Sequence, residues 1–166
     1  MYKRQVLCLE EREGALARGA TILGEITGYA NFSDAWDFTS PAEDCLARVQ
    51  TITHALQQAE LEPEQLDYIN AHGTSTPLND INETQSLKMA LGDAVWSIPV
   101  SSTKSYSGHL ISAAGTFESI VCLQAIANGI IPATANFQQA DECCDLDYVV
   151  EGHRAGNVRR TLNLSF

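Results

Sequence analysis

Asn70-Ala71-His72-Gly73-Thr74-Ser75-Thr76-Pro77 and Ser101-Ser102-Thr103-Lys104-Ser105-Tyr106-Ser107-Gly108-His109-Leu110 are the two stretches that decide how this chain reads. Each closes a short apolar, β-like run, residues 66–71 and 98–102, with a histidine set beside glycine and hydroxyl side chains. Glycine permits a sharp turn and hydroxyls supply donors and acceptors, so this composition marks a strand end whose loop must hold a polar ligand. In a parallel sheet the loops at the carboxyl ends of neighbouring strands converge on one crevice, which would bring His72 and His109 together.

Outward from these stretches, strand and helix patterns alternate. Residues 6–9 read as a strand, 10–19 as a short helix closed by Gly19, and 21–29 as a second, β-branched strand. Pro41 and the helical spacing of Leu46, Val49, Ile52, Thr53 and Leu56 predict an amphipathic helix to about residue 60, its apolar face covering a sheet. Helical spacing returns over residues 80–91 and stops at Gly92, and an Ala-rich helix over 112–128 ends at Gly129. Residues 148–151 and 158–164 close the chain as strands. This order predicts an α/β fold, a parallel-rich sheet covered by helices through right-handed crossovers. There is no internal repeat and no low-complexity segment.

The 166 residues suffice for one domain with a real core. A net charge of −11, from 21 acidic and 10 basic residues, opposes binding to nucleic acid or to an anionic membrane, where lysine and arginine must neutralise phosphates. Five cysteines, with only Cys143 and Cys144 adjacent, fit neither a disulfide framework nor a zinc pattern, so reduced thiols in a cytoplasmic protein are expected. No apolar stretch reaches the ~18 residues that a membrane helix needs.

The two histidine motifs together resemble those of the β-ketoacyl-acyl-carrier-protein synthases of the elongating type, the condensing enzymes of the thiolase superfamily, and the resemblance runs over residues 6–166. It implies the C-terminal half of a thiolase-like α-β-α-β-α sandwich and a decarboxylative Claisen condensation of a malonyl thioester with an acyl enzyme. His72 and His109 would then be the catalytic pair that donates to the thioester oxygen, with Lys104 and its partner Glu118 as catalytic support. Thr74 and Thr76 would bind the phosphopantetheine arm of acyl carrier protein, and Thr39 and Ser40 would line the same tunnel. No metal and no further cofactor are implied.

In that family the nucleophilic cysteine lies in an upstream half, so the resemblance also implies partners: acyl carrier protein, the N-terminal half of the same enzyme, and a second copy in a homodimer. An acidic carrier would dock on Lys3, Arg4, Arg154, Arg159 and Arg160 or on the upstream half. Residues 1–5 depart from the family and read as an artefactual leader, and Phe166 falls just before the family's Gly-rich loop, as in a truncated gene. Two other readings stay open: a ketosynthase of polyketide or specialised lipid synthesis, and a noncatalytic chain-length partner, against which the intact His72, Lys104 and His109 argue.

None of the cysteines reads as a nucleophile. Cys8 and Cys122 fall in apolar runs and are expected in the core, Cys45 on a helix, and Cys143-Cys144 in an acidic loop that raises a thiol pKa. His54 and His153 have no motif around them.

Overall fold

The computed structural model describes residues 4–166, so the first three residues of the expected leader lie outside the description. Three short strands form a parallel sheet in the order β2-β1-β5: β1 is Tyr68–Asn70, β2 is Val100–Ser101 and β5 is Thr161–Asn163. Ile69 pairs with Val100 on one side and Leu162 on the other, and Asn70 with Ser101 and Asn163. Tyr148 extends this sheet by a parallel bridge to Val100. The strand expected over residues 148–151 is thus reduced to a bridge. A separate antiparallel pair joins β3, Ile130–Ile131, to β4, Arg154–Ala155.

Alternation along β1 sends its side chains to two cores. Ile69 packs with Ile52 and Leu56 of helix α2 (Leu46–Gln58), Leu87 and Leu91 of helix α3 (Pro77–Leu91), Val95 just beyond α3, and Val100 of β2. Tyr68 packs oppositely with Cys122 and Ala125 of α5 (Ala114–Asn128), and with Val149. The sheet is therefore covered on both faces, and every residue of β1 and β2 is buried. Fully burying an Ile or Val contributes about 1.5–3 kcal/mol each, so Ile52, Ile69, Val95 and Val100, all fully buried, anchor the layers.

Both helices read from sequence near the histidines are present, with shifted starts. Helix α2 begins at Leu46 behind Cys45, which holds φ 61°, whereas Pro41 sits in the preceding loop. Helix α3 begins three residues earlier than expected because Pro77, with φ preset and no N–H to satisfy, occupies its first turn. Helix α5 buries Ala114, Glu118, Cys122 and Ala125 as a stripe, with Gln124, Ala127 and Asn128 exposed toward its end.

Two expected strands are absent. Residues 6–9 and 21–29 join no strand ladder among the described residues; they flank helix α1 (Arg12–Ala17), and Tyr29 N donates to Gln58 Oε1 of α2 at 2.6 Å. Alternating β-branched residues favour extension, but a strand also needs a neighbour to complete its ladder. Val6, Leu9, Leu23, Ile26 and Tyr29 are consequently exposed, and so is Cys8, expected in the core. The second segment still lies tight on the helices: a Cβ on Gly28 would stand 2.1 Å from the carbonyl oxygen of Ala55 in α2.

Candidate active site

The site is built at the carboxyl ends of β1 and β2. Beneath it lies a buried polar floor: the Tyr68 hydroxyl is 2.9 Å from Ser101 Oγ, and Asn70 Nδ2 donates to Tyr68 Oη at 2.9 Å and Thr103 Oγ1 at 3.3 Å. Burial pushes the Tyr68 phenol well above its ordinary pKa, so it remains a neutral hydrogen-bonding group. Above the floor the two histidine loops are tied together. Ser102 Oγ donates to the Gly73 carbonyl at 2.7 Å. The approach is so close that a Cβ on Gly73, at φ 39°, would lie 2.5 Å from Ser102 Cβ. Glycine is thus required here by both conformation and space.

His72 is buried and His109 is exposed, and their rings meet edge to face with centroids 5.4 Å apart. Backbone donors occupy the Nδ1 atom of each ring: Phe166 N donates to His72 at 3.2 Å and Ile111 N to His109 at 3.1 Å. An Nδ1 that accepts leaves the proton of a neutral imidazole on Nε2. Burial is the main cause that pulls the His72 pKa down to about 3, with the charges of Lys104, His109 and Arg48 adding to it. At neutral pH the His72 ring is therefore an uncharged Nε2–H donor.

Lys104 opens the four-residue helix α4, Lys104–Ser107, and points inward. Its ammonium meets Glu118 Oε1 of α5 at 2.5 Å, with the two side chains 5% and 1% exposed. Glu118 Oε2 also accepts from Ser165 Oγ at 3.1 Å. The pair thus joins α4, α5 and the end of β5 behind the histidines. Desolvating both charges is compatible with folding only because each satisfies the other.

Thr74 and Thr76 lie on the loop after His72, their hydroxyls 2.9 Å apart. Thr39 and Ser40 form hydrogen bonds within their own loop, where their backbone N–H groups donate to Asp37 Oδ1 at 2.9 and 3.0 Å. That loop approaches the site at Asp34, Pro41 and Ala42, which share a small cavity with Arg48 and Asn82. Elsewhere, His153 Nδ1 accepts from Ala133 N at 3.1 Å, and His54 stacks edge-on to Phe32 at 4.9 Å. Both have local structural partners. Cys122 is pushed up to about 12 by burial, and burial with Asp141 and Asp80 raises Cys144. No described group of three or more His, Cys, Asp or Glu residues could hold a metal ion.

Sequence reasoning missed Glu83, Arg48, Asn79 and Phe166. Glu83, buried in α3, accepts the backbone N–H groups of His72 at 2.7 Å and Gly73 at 2.8 Å. It sits one turn after Asn79 on a helix face that buries Asn79, Asn82, Glu83, Thr84 and Ser86 while Leu78 and Met89 face out. Hydrophobic periodicity has no means of marking a polar buried face. The spacing of Asn79 and Glu83, four residues apart after a helix-starting proline, was the one available signal.

Residues 23–138 match the family Beta-ketoacyl synthase, C-terminal domain. The chain is 48% identical over 161 residues to 3-oxoacyl-[acyl-carrier-protein] synthase 2 of Synechocystis sp., covering 97% of this chain and 39% of the relative. It is 42% identical over 159 residues to the ketoacyl synthase alpha subunit of the tetracenomycin polyketide synthase of Streptomyces glaucescens, covering 96% of this chain and 37% of that relative. Among solved structures it resembles a type II polyketide synthase acyl-carrier protein in complex with its ketosynthase bound to the hexaketide. There the TM-score is 0.89 at 37% identity, over 93% of this chain and 38% of that one. The chain thus spans under two fifths of the length of these relatives. Among the described residues no helix is long and apolar enough to cross a membrane.

Proposed function

The chain belongs to the beta-ketoacyl synthase family, and from that membership and its two-histidine cleft we propose that it forms the C-terminal half of an elongating 3-oxoacyl-[acyl-carrier-protein] synthase of fatty acid synthesis. The observation that carries this reading is the pair of imidazoles in edge contact, each with Nδ1 occupied by a backbone donor. With Nδ1 accepting, each neutral ring carries its proton on Nε2, the donor that the reaction calls for. In the reaction the malonyl carboxylate leaves as carbon dioxide, and its bonding electrons form an enolate on the thioester. His72 and His109 hold the enolate oxygen, while the nucleophilic carbon attacks the acyl thioester of the enzyme and expels the cysteine thiolate. Neutral donors suit this task, because an imidazolium could transfer its proton and quench the enolate.

Lys104 and Glu118 support the pair from behind, the ammonium adding its positive field to the burial that chiefly keeps His72 neutral. Thr74 and Thr76 offer hydroxyls to the amides of the phosphopantetheine arm of an acyl carrier protein, with Thr39 and Ser40 further along the tunnel. The nucleophilic cysteine comes from the N-terminal half; among the chain's own thiols, Cys122 and Cys144 are shifted away from thiolate. The working enzyme is a cytoplasmic homodimer of complete subunits.

The likeness to polyketide ketosynthases supports a second reading in which the growing chain is a polyketide. The experiment expresses the complete reading frame and follows malonyl-carrier decarboxylation and condensation. Replacement of His72 or His109 by Ala should each lower decarboxylation by about 10²–10³-fold. Full decarboxylation by both variants would overturn the assignment, and the acyl primers accepted would separate fatty acid from polyketide synthesis.

A further inference from the structure

His72 stands inside a closed ring of contacts that runs through three elements. Arg48 on α2 donates through Nη2 to Asn79 Oδ1 of α3 at 3.1 Å. One turn on, Glu83 takes the backbone N–H groups of His72 and Gly73. The Nδ1 atom of His72 accepts from Phe166 N, beyond β5, and the Phe166 ring lies against the imidazole with centroids 5.9 Å apart. Arg48 closes the ring, its guanidinium 4.3 Å from the centroid of the same Phe166 ring.

Arg48 is held by shape as much as by charge. Its Nη1 is buried without a hydrogen-bond partner, which is costly for a donor and leaves the face of Phe166 as the interaction that offsets it. A lysine would keep the charge but lacks the planar face that stacks on a ring and the fork that reaches Asn79 at the same time.

We propose that Arg48 is a positioning residue for His72: by pressing the Phe166 ring in place it keeps the Phe166 N–H on Nδ1 and thereby holds the imidazole proton on Nε2, where the enolate oxygen is to be received. The proposal deepens the condensing role given to His72 and rests on that reading for its purpose, though not for its test. Without the clamp the phenyl ring is free to turn, the hydrogen bond to Nδ1 lapses, and the proton is shared between the two nitrogens. A donor aimed away from the cleft contributes nothing to the enolate.

The test reads the tautomer directly. The 166-residue chain is labelled with 15N-histidine and studied by magic-angle-spinning spectroscopy at neutral pH, which tolerates oligomers; His72→Gln identifies the His72 signals. The unaltered chain should show His72 as a single form with a protonated Nε2. Arg48→Ala and, independently, Phe166→Leu, which removes the ring and keeps the backbone N–H, should each raise the Nδ1–H population roughly fivefold or more. Arg48→Lys should fail to restore the single form.

A single Nε2–H form in the folded Phe166→Leu chain would overturn the proposal even if Arg48→Ala did not fold, and full rescue by Arg48→Lys would overturn the stacking role. The readout needs no substrate. An inactive complete enzyme with an intact tautomer would sink the condensation and leave the Arg48 clamp standing, whereas a lost clamp effect beside normal decarboxylation would do the reverse.

Discussion

Glu83 and His72 are joined through the backbone: both oxygens of the Glu83 carboxylate are engaged, Oε1 by the N–H of His72 at 2.7 Å and Oε2 by the N–H of Gly73 at 2.8 Å. A helix side chain thus fixes the direction in which the β1 loop leaves the sheet, and with it the position of the imidazole. Two donors converging on one carboxylate are satisfied only by an acceptor on each side. Glu83→Gln would place an amide NH2 against one of them. The expected cost is about 1–3 kcal/mol, read as a lowered denaturant midpoint with unchanged slope, together with weakened decarboxylation in the complete enzyme.

The depressed pKa of His72 links stability to acidity. Folded His72 titrates at about 3 against an ordinary 6.5, chiefly because it is buried, so between these values the unfolded chain binds the proton and the folded chain does not. Stability is therefore fully present above pH 6.5 and falls as the pH is lowered toward 3, by at most about 1.4 kcal/mol per pH unit from this group. His72→Gln should flatten that part of the curve between pH 4 and 6.5. An unchanged slope in urea denaturation across this range would show that other groups set it.

Glu118 and Lys104 should be far costlier to separate than to replace. Glu118→Ala strands a buried ammonium and is expected to destabilise by about 3–5 kcal/mol, while the double change Lys104→Met with Glu118→Leu should recover most of that loss. A double-mutant cycle by thermal denaturation measures the difference. The same double variant, in the complete enzyme, should remain folded with reduced decarboxylation.

The exposed apolar side chains Val6, Leu9, Leu23, Ile26, Tyr29, Trp36 and Phe38 belong to segments with no strand partner, and apolar side chains left to water in this way favour association. The 166-residue chain alone should self-associate and bind a hydrophobic dye. Sedimentation velocity at tens of micromolar would check this, and a sharp monomer without dye binding would contradict it.

The sequence by itself determined the parts of this protein that depend on local chemistry. His72 follows β1 and His109 follows β2 and the short helix α4, α2 and α3 present the apolar residues expected of them, and Lys104 turns inward to Glu118. Helical spacing and turn composition act over a few residues, and the two histidine motifs lie in consecutive β-α units, so both could be read directly. Residues 6–9 and 21–29 form no strand: a β-branched run states a preference, but hydrogen-bonding partners are a property of the surroundings.

Tertiary structure alone decided what holds His72. Its Nδ1 partner comes from Phe166, 94 residues away, and the aromatic ring that brings this N–H into place is stacked by Arg48 from a helix whose sequence shows only an amphipathic face. Glu83 shows in the sequence only by its four-residue spacing from Asn79, because the backbone donors that bury it are met only after β1 and α3 have packed. Side chains that act by satisfying a neighbour's backbone carry no periodic signal. Their roles exist only once the chain has brought the unpaired N–H groups to them.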